Sequence, residues 1–295
     1  MDRVPPPATS TTALGILCGA GAALCWALGF VSARHGVAVG MSPIVIALYR
    51  FVWSGLLFIP VVTRGGVGNL GDVGWGRGIV LALLGGLPQA TLSYAGFLFV
   101  PLGHGAIIQP SCASLGGLLL AALVLREPLP ARRIGGALVM VVGLIVIGTE
   151  ALKTLGTHGL AGDSMFVAAG FSFAIFGILL RQWRTPPVAA TAVISVLSLA
   201  GLPLFIYRLG DVLAVGFYEN LLQAIVQGAL AGAGAIYLFT RAVILLGASR
   251  AVVFPSLVPP FTLLLGFIAL GEVPSISQLA GLAIVLVGFR LTQKG

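Results

Sequence analysis

The sequence predicts an all-α integral membrane protein, with ten transmembrane helices arranged as two inverted five-helix halves. Three observations carry that expectation. First, 58% of the 295 residues are apolar and only 8% are charged, whereas soluble domains carry roughly 25% charged residues. Second, cutting the chain at charges, prolines and glycine clusters leaves ten apolar runs, each of about the 20 residues that cross a bilayer. Third, the chain repeats itself. Glu127 and Glu272 lie 145 residues apart, as do Pro110 and Pro255, and Gly143 and Gly288. At a spacing of 147, Gly15, Ala22, Trp26, Ala27 and Arg34 match Gly162, Ala169, Phe173, Ala174 and Arg181.

Residues 1–12, MDRVPPPATSTT, are a short polar tail. The run that follows reads as a membrane helix rather than a cleaved signal, because its basic flank is weak and many similar runs come after it. The first half, 13–150, holds spans at 13–34, 42–63, 78–100, 104–125 and 131–150; the second, 159–292, holds spans at 162–181, 187–207, 221–244, 250–271 and 275–292. With these cuts, eleven bases fall on the side of the amino terminus: Arg3, Arg64, Arg77, Arg126, Arg132, Arg133, Arg181, Arg184, Arg250, Arg290 and Lys294. Only Arg34, Lys153 and Arg208 fall across the membrane. The excess of bases on cytoplasmic loops then puts both termini, and the tail, in the cytoplasm of a multi-pass protein of the cell inner membrane. Five spans is an odd number, so the second half enters the bilayer upside down. Two such halves can exchange outward-open and inward-open arrangements, as in many secondary transporters.

The segments GAGAALCWALGFVSARHG, SPIVIALYRFVWSGLLF, LREPLPARRIGGALVMVVGLIVIG and LGEVPSISQLAGLAIVLVGF resemble those of the drug/metabolite transporter superfamily. Within it the chain is similar to the EamA-type ten-helix exporters, and most of all to the YddG-type exporters of aromatic amino acids and metabolites. The resemblance covers essentially the whole chain. It implies two EamA repeats, with helices 1, 3 and 4 and their counterparts 6, 8 and 9 lining a substrate site, and a small-molecule substrate exported by alternating access. Amino acids, aromatic or neutral, and related metabolites are the expected cargo; drug-like cations or nucleosides are the alternative.

The residues themselves point to the same helices. Gln89 and Ser93 share a face of helix 3 with Gly85. Gln109, Ser111 and Ser114 lie on helix 4, Gln227 on helix 8, and Ser256 on helix 9. Trp26, Tyr94, Phe171, Phe173, Phe176 and Tyr237 lie away from the end belts where Trp and Tyr normally anchor. Stacking surfaces with a few hydrogen-bonding groups suit a flat amphipathic molecule. Pro110 in helix 4, Pro255, Pro259 and Pro260 in helix 9, and Pro88 in helix 3 each remove a backbone donor, which predicts kinks that could act as gates. Arg50 and Arg241 fall within spans. Intramembrane arginines are functional candidates, although helix pairing for Arg50 and snorkelling to the interface for Arg241 are the plainer readings.

Other classes are excluded. No HExxH, GxSxG, Walker or paired mid-membrane carboxylate motif occurs, so no enzyme, catalytic residue, metal site or cofactor is expected. The bases punctuate apolar runs instead of clustering, which argues against nucleic acid. Cys18, Cys25 and Cys112 lie inside apolar runs as small fillers. The expected partners are the lipid bilayer and the substrate, with the chain a monomer. Apart from Asp2 in the tail, every carboxylate reads as lying near a span end, and His104 at the outer end of helix 4, which favours a facilitator, or a transporter coupled weakly by another route, over a proton-driven pump. Glu127 and Glu272 read as residues in proline-bearing turns, able to accept N–H groups at the start of helices 5 and 10.

Overall fold

The computed structural model describes residues 9–126, 130–246 and 254–293. Among these residues every regular element is helical. Helix α1 spans Thr9–Ala38, α2 Pro43–Arg64, α3 Trp75–Gly85, α4 Leu87–Gly96, α5 Leu102–Val124 and α6 Ala131–Trp183. Then come α7 (Pro187–Ser198), α8 (Leu202–Tyr207), α9 (Leu209–Ala214), α10 (Phe217–Gln223), a π-helix (Ala224–Gly234), α11 (Ala235–Leu246), α12 (Val258–Leu270) and α13 (Ile276–Gln293). Among the described residues seven stretches are long and apolar enough to cross a membrane: Thr12–Ala38, Pro43–Arg64, Trp75–Gly96, Leu102–Val124, Gly156–Trp183, Val188–Tyr207 and Phe217–Leu246. Two shorter apolar helices, Phe254–Leu270 and Ile276–Thr292, follow. Large apolar side chains such as Leu17, Leu57, Leu123 and Ile268 stand exposed along these helices. A soluble protein rarely tolerates so much exposed apolar surface; a bilayer solvates it.

Local breaks separate the elements. The run Ala131–Trp183 is helical except at Gly156, whose φ of 62° and ψ of −145° turn the chain between two antiparallel-capable segments. Only glycine adopts that backbone without strain. The stretch between the expected spans 131–150 and 162–181 is therefore helical apart from this one turning residue. The third span breaks at Gly86, between α3 and α4. Pro88 sits at the second position of α4, where its missing N–H is not needed, and the Leu87 N–H donates instead to Ser198 Oγ of α7 at 3.2 Å. Pro259 and Pro260 likewise fall in the first turn of α12, so they start that helix and do not interrupt it. Pro255 lies in a 3-10 turn, Phe254–Leu257, just before α12. Pro110 lies inside α5, which stays helical from Leu102 to Val124.

The first half of α6 packs on α13 through glycine. A Cβ placed on Gly136 would lie 2.7 Å from Gly288 O, and one on Gly288 would lie 2.6 Å from Gly136 O. Two turns along, a Cβ on Gly143 would lie 2.9 Å from Gly281 O, and one on Gly281 would lie 3.0 Å from Gly143 O. The two helices run antiparallel with backbones in contact, the arrangement small residues permit between membrane helices. Gly136 and Gly281 are 145 residues apart, and so are Gly143 and Gly288. Positions related by the sequence repeat thus exchange contacts with each other.

The remaining contacts gather the helices around a shared interior. Helix α1 packs on the π-helix, α11 and α12; α4 packs on the second half of α6 and on α2; α5 packs on α6 and α12; α2 packs on α7. Phe166 of α6 is fully buried between α4 and α5, its ring 5.0 Å from that of Phe97. A Cβ on either Gly96 or Gly105 would meet the Phe166 ring at 2.6 Å. Those two glycines form the slot that seats α6 against both helices.

Candidate functional site

Polar side chains buried between these helices form two groups. The first joins α1, α2, α4 and the π-helix. Arg50 Nη1 donates to Tyr94 OH at 3.3 Å, Tyr94 OH donates to Gln227 Oε1 at 2.9 Å, and Gln227 Nε2 donates to Gly29 O at 2.8 Å. Gln227 is fully buried, and Tyr94 nearly so. Among the described residues no carboxylate pairs with Arg50. Gly29 belongs in this layer because its Cβ would stand 2.7 Å from the Ala231 Cβ. The π-helix carries Gln227 and widens the local turn, a feature often found at functional sites.

One and two turns before Gln227, the same helix face continues the line. Gln223 Nε2 donates to Ser32 O and to Glu219 Oε1, while Ser32 Oγ donates to Gln223 Oε1 at 2.9 Å. Glu219 Oε2 lies 3.0 Å from His35 Nε2, and Tyr49 OH donates to Asn220 Oδ1 at 2.6 Å. Residues 219, 223 and 227 recur every fourth position, which keeps them on one side of a helix. Burial of so many polar groups is tolerable because each finds a partner.

The second group closes the far end of α1, α5 and α12. Arg34 Nε donates to Glu272 Oε1 at 2.6 Å and Arg34 Nη1 donates to Phe97 O at 3.0 Å. The other carboxylate oxygen of Glu272 accepts the Leu102 N–H at 2.9 Å. Glu272 therefore stabilises the amino end of α5, and not that of α13 as its position before that helix suggested. The cap of α13 is Ser275, whose Oγ accepts the Gln278 N–H at 3.0 Å. Gly271, with φ of 67°, turns the chain so that Glu272 faces Arg34 and α5. The other member of the repeated pair, Glu127, lies outside the described residues. Arg34, Glu272, Ser275 and Gln278, together with His104, line a cleft of about 440 Å³.

Below the ion pair, His104 Nδ1 lies 2.9 Å from Asp163 Oδ1. His104 is 2% exposed and Asp163 6%. His104 lies in the first turn of α5, at the span end where the sequence reading places it. Asp163 lies seven residues past the Gly156 break, about 10 Å along the axis at 1.5 Å per residue, and the Phe166 slot draws that part of α6 inward.

Of the other residues singled out in the sequence, several meet across helices. Ser93 of α4 donates to Gln109 of α5, and Gln89 Nε2 donates to Ala169 O at 3.3 Å. Phe173 and Phe176 stack at 5.4 Å, with Gly85 against the Phe176 ring. Trp26 instead pairs with Phe239 of α11 at 5.5 Å. Phe173 and Tyr237 are exposed at 47% and 66%, Ser114 and Ser256 are half-buried, and Ser111 Oγ turns back to Ile107 O. Sequence reasoning passed over Ser32, Tyr49, Asn220 and Gln223. The fourfold spacing of Glu219, Gln223 and Gln227 was the available signal.

A sequence profile of the EamA-like transporter family matches residues 13–149 and again 160–292. Two uncharacterized transporters of Archaeoglobus fulgidus are similar: one is 25% identical over 89% of this chain and 92% of its own length, the other 27% identical over 91% and 93%. The uncharacterized transporter YyaM of Bacillus subtilis is 24% identical over 74% of this chain and 72% of its own. A solved crystal structure superposes on 96% of this chain and 96% of its own, with a TM-score of 0.58 at 18% identity, which shows a shared fold. With nearly its whole length matched in two consecutive stretches, the chain belongs to the EamA-like transporter family of the drug/metabolite transporter superfamily.

Proposed function

We propose that this membrane transporter exports amino acids, aromatic or neutral, and related metabolites across the cell inner membrane by alternating access, the YddG-type reading of the family. In this reading residues 13–150 and 159–292 are inverted five-helix halves, and both termini, with the tail 1–12, lie in the cytoplasm. The reciprocal glycine contacts support the two-fold relation, because exchanging positions 145 apart turns the Gly136–Gly288 contact into the Gly281–Gly143 contact.

The observation that carries the substrate class is Arg50. Its guanidinium lies among membrane helices without a carboxylate partner among the described residues, and it meets the Tyr94 hydroxyl that also reaches Gln227. A guanidinium presents paired donors that match a carboxylate. An α-amino acid brings that carboxylate, with its ammonium group available to carbonyl and amide oxygens such as Gln227 Oε1. A drug-like cation would be repelled by Arg50, and a nucleoside would leave it unpaired.

The test is counterflow in proteoliposomes preloaded with one unlabelled solute, using a panel of amino acids, nucleosides and quaternary ammonium compounds. The expected outcome is exchange of L-phenylalanine or another neutral amino acid, weakened by Arg50→Gln. Exchange of only cations or nucleosides, indifferent to Arg50, would replace the amino-acid reading; no exchange of any solute would remove the transport reading itself.

A further inference from the structure

We infer that His104 and Asp163 form a proton-binding dyad, and that the proton it carries drives the transport cycle. The facilitator reading rested on every titratable group lying near a span end; at one such end, in the first turn of α5, the fold joins two of them. The two residues come from different halves of the repeat, α5 and the second part of α6, and meet at 2.9 Å almost wholly out of water. Asp163 Oδ2 is buried with no hydrogen-bond partner, so this carboxylate has spent only part of its accepting capacity. A scaffold bond would not need ionisable groups here. The repeat-related positions, 145 residues after His104 and 147 before Asp163, hold Ser249 and Ile16, so the architecture recurs without the dyad.

The geometry sets the proton's place. Nδ1–H donates to Asp163 Oδ1, which leaves Nε2 to bind or release the mobile proton. With that proton the imidazolium and carboxylate sum to zero charge; without it the dyad carries one uncompensated negative charge away from water, which is costly. The closed arrangement therefore holds the proton. Opening the cleft lined by His104 hydrates the dyad, and the proton leaves from Nε2 to water. The charged groups facing the dyad from its surroundings are Arg34 of α1 and Glu272 before α13, already paired with each other. The other residues lining the cleft beside His104 are uncharged, among them Leu263 and Gly266 of α12 and Gln278 of α13.

Two measurements decide the inference, and only the first rests on the amino-acid reading above. In proteoliposomes, L-phenylalanine counterflow at equal pH is compared with accumulation driven by a pH difference of about one unit, the proton gradient supplying up to about tenfold. Wild type should do both. His104→Gln and Asp163→Asn should keep counterflow within about twofold, which shows they fold and bind, and should lose gradient-driven accumulation. Wild-type counterflow without accumulation, or accumulation surviving in both variants, overturns the inference. Second, the full chain labelled with 15N-histidine in nanodiscs is titrated by NMR from pH 5 to 9, with His104→Gln assigning the signal. The His104 ring signal should respond to pH, and that response should change in Asp163→Asn. A ring fixed in one protonation state throughout overturns the dyad whatever the substrate is.

Discussion

Two helix seams in this protein are built from opposite materials. Between the first half of α6 and α13 the backbones touch directly through Gly136, Gly143, Gly281 and Gly288. Between α1 and the stretch from Glu219 to Gln227, the contact runs through side chains: Ser32 with Gln223, His35 with Glu219, and Gly29 O with Gln227. Close backbone contact depends on shape, and any displacement forfeits many small dispersion terms at once. Hydrogen bonds between amides, hydroxyls and carboxylates can be exchanged for bonds to water or to a solute at little net cost. The glycine seam is suited to hold one arrangement, and the polar seam to open and close.

If that contrast is right, substitutions on the two seams should fail differently. The largest effect is expected from Gly288→Leu. Its Cβ alone meets Gly136 O, and overpacking costs about 1–3 kcal/mol or more; thermal denaturation in detergent should show a melting temperature lower by several degrees or no recoverable folded protein. A Gly288→Leu protein as stable as wild type would break the comparison. Gln227→Ala comes next. It leaves the Gly29 carbonyl without its donor and the Tyr94 hydroxyl hydrogen without its acceptor, while Arg50 still donates to the Tyr94 oxygen; the loss should be about 1–3 kcal/mol in all, and should depress counterflow more than it lowers melting temperature. Arg50→Lys keeps the charge but loses the paired donors. Counterflow should show a roughly tenfold higher half-saturation concentration for amino acids, equivalent to about 1.4 kcal/mol. Tyr49→Phe removes a single bond to Asn220 and should cost about 0.5–1.5 kcal/mol of stability. Smallest of all, Thr63→Ala at an exposed helix end should stay within about 0.5 kcal/mol.

Much of this organisation was legible in the sequence, and the illegible parts have physical reasons. Apolar length and charge placement locate membrane helices because lipid demands them. The spacing of 145 that matched Gly143 to Gly288 also relates Gly136 to Gly281, but only coordinates reveal that the pairs cross over. Tyr94, Gln227, Ser93 and Gln109 were singled out, and they do meet in two hydrogen-bonded pairs. Phe173 and Tyr237 were singled out on the same grounds and are largely exposed, since an aromatic residue on a membrane helix has the same sequence signature whether it faces a neighbour or lipid. The prolines of α12 illustrate another limit: a proline reads as a kink until the helix start is known, and Pro259 and Pro260 fall in a first turn. That His104 and Asp163 pair was not legible, because their contact depends on how α6 seats against α4 and α5, and the Phe166 slot that sets this is made by Gly96 and Gly105, distant in sequence from it.

The central claim is that the polar seam between α1 and the Glu219–Gln227 stretch must open for a solute to pass. Crosslinking tests it directly. In a background with Cys18, Cys25 and Cys112 replaced, cysteines introduced by Ser32→Cys and Gln223→Cys are joined by a short reducible bifunctional thiol reagent, and L-phenylalanine counterflow is measured before and after reduction. The account predicts that crosslinked protein exchanges nothing and that reduction restores exchange. Undiminished exchange by fully crosslinked protein would contradict it.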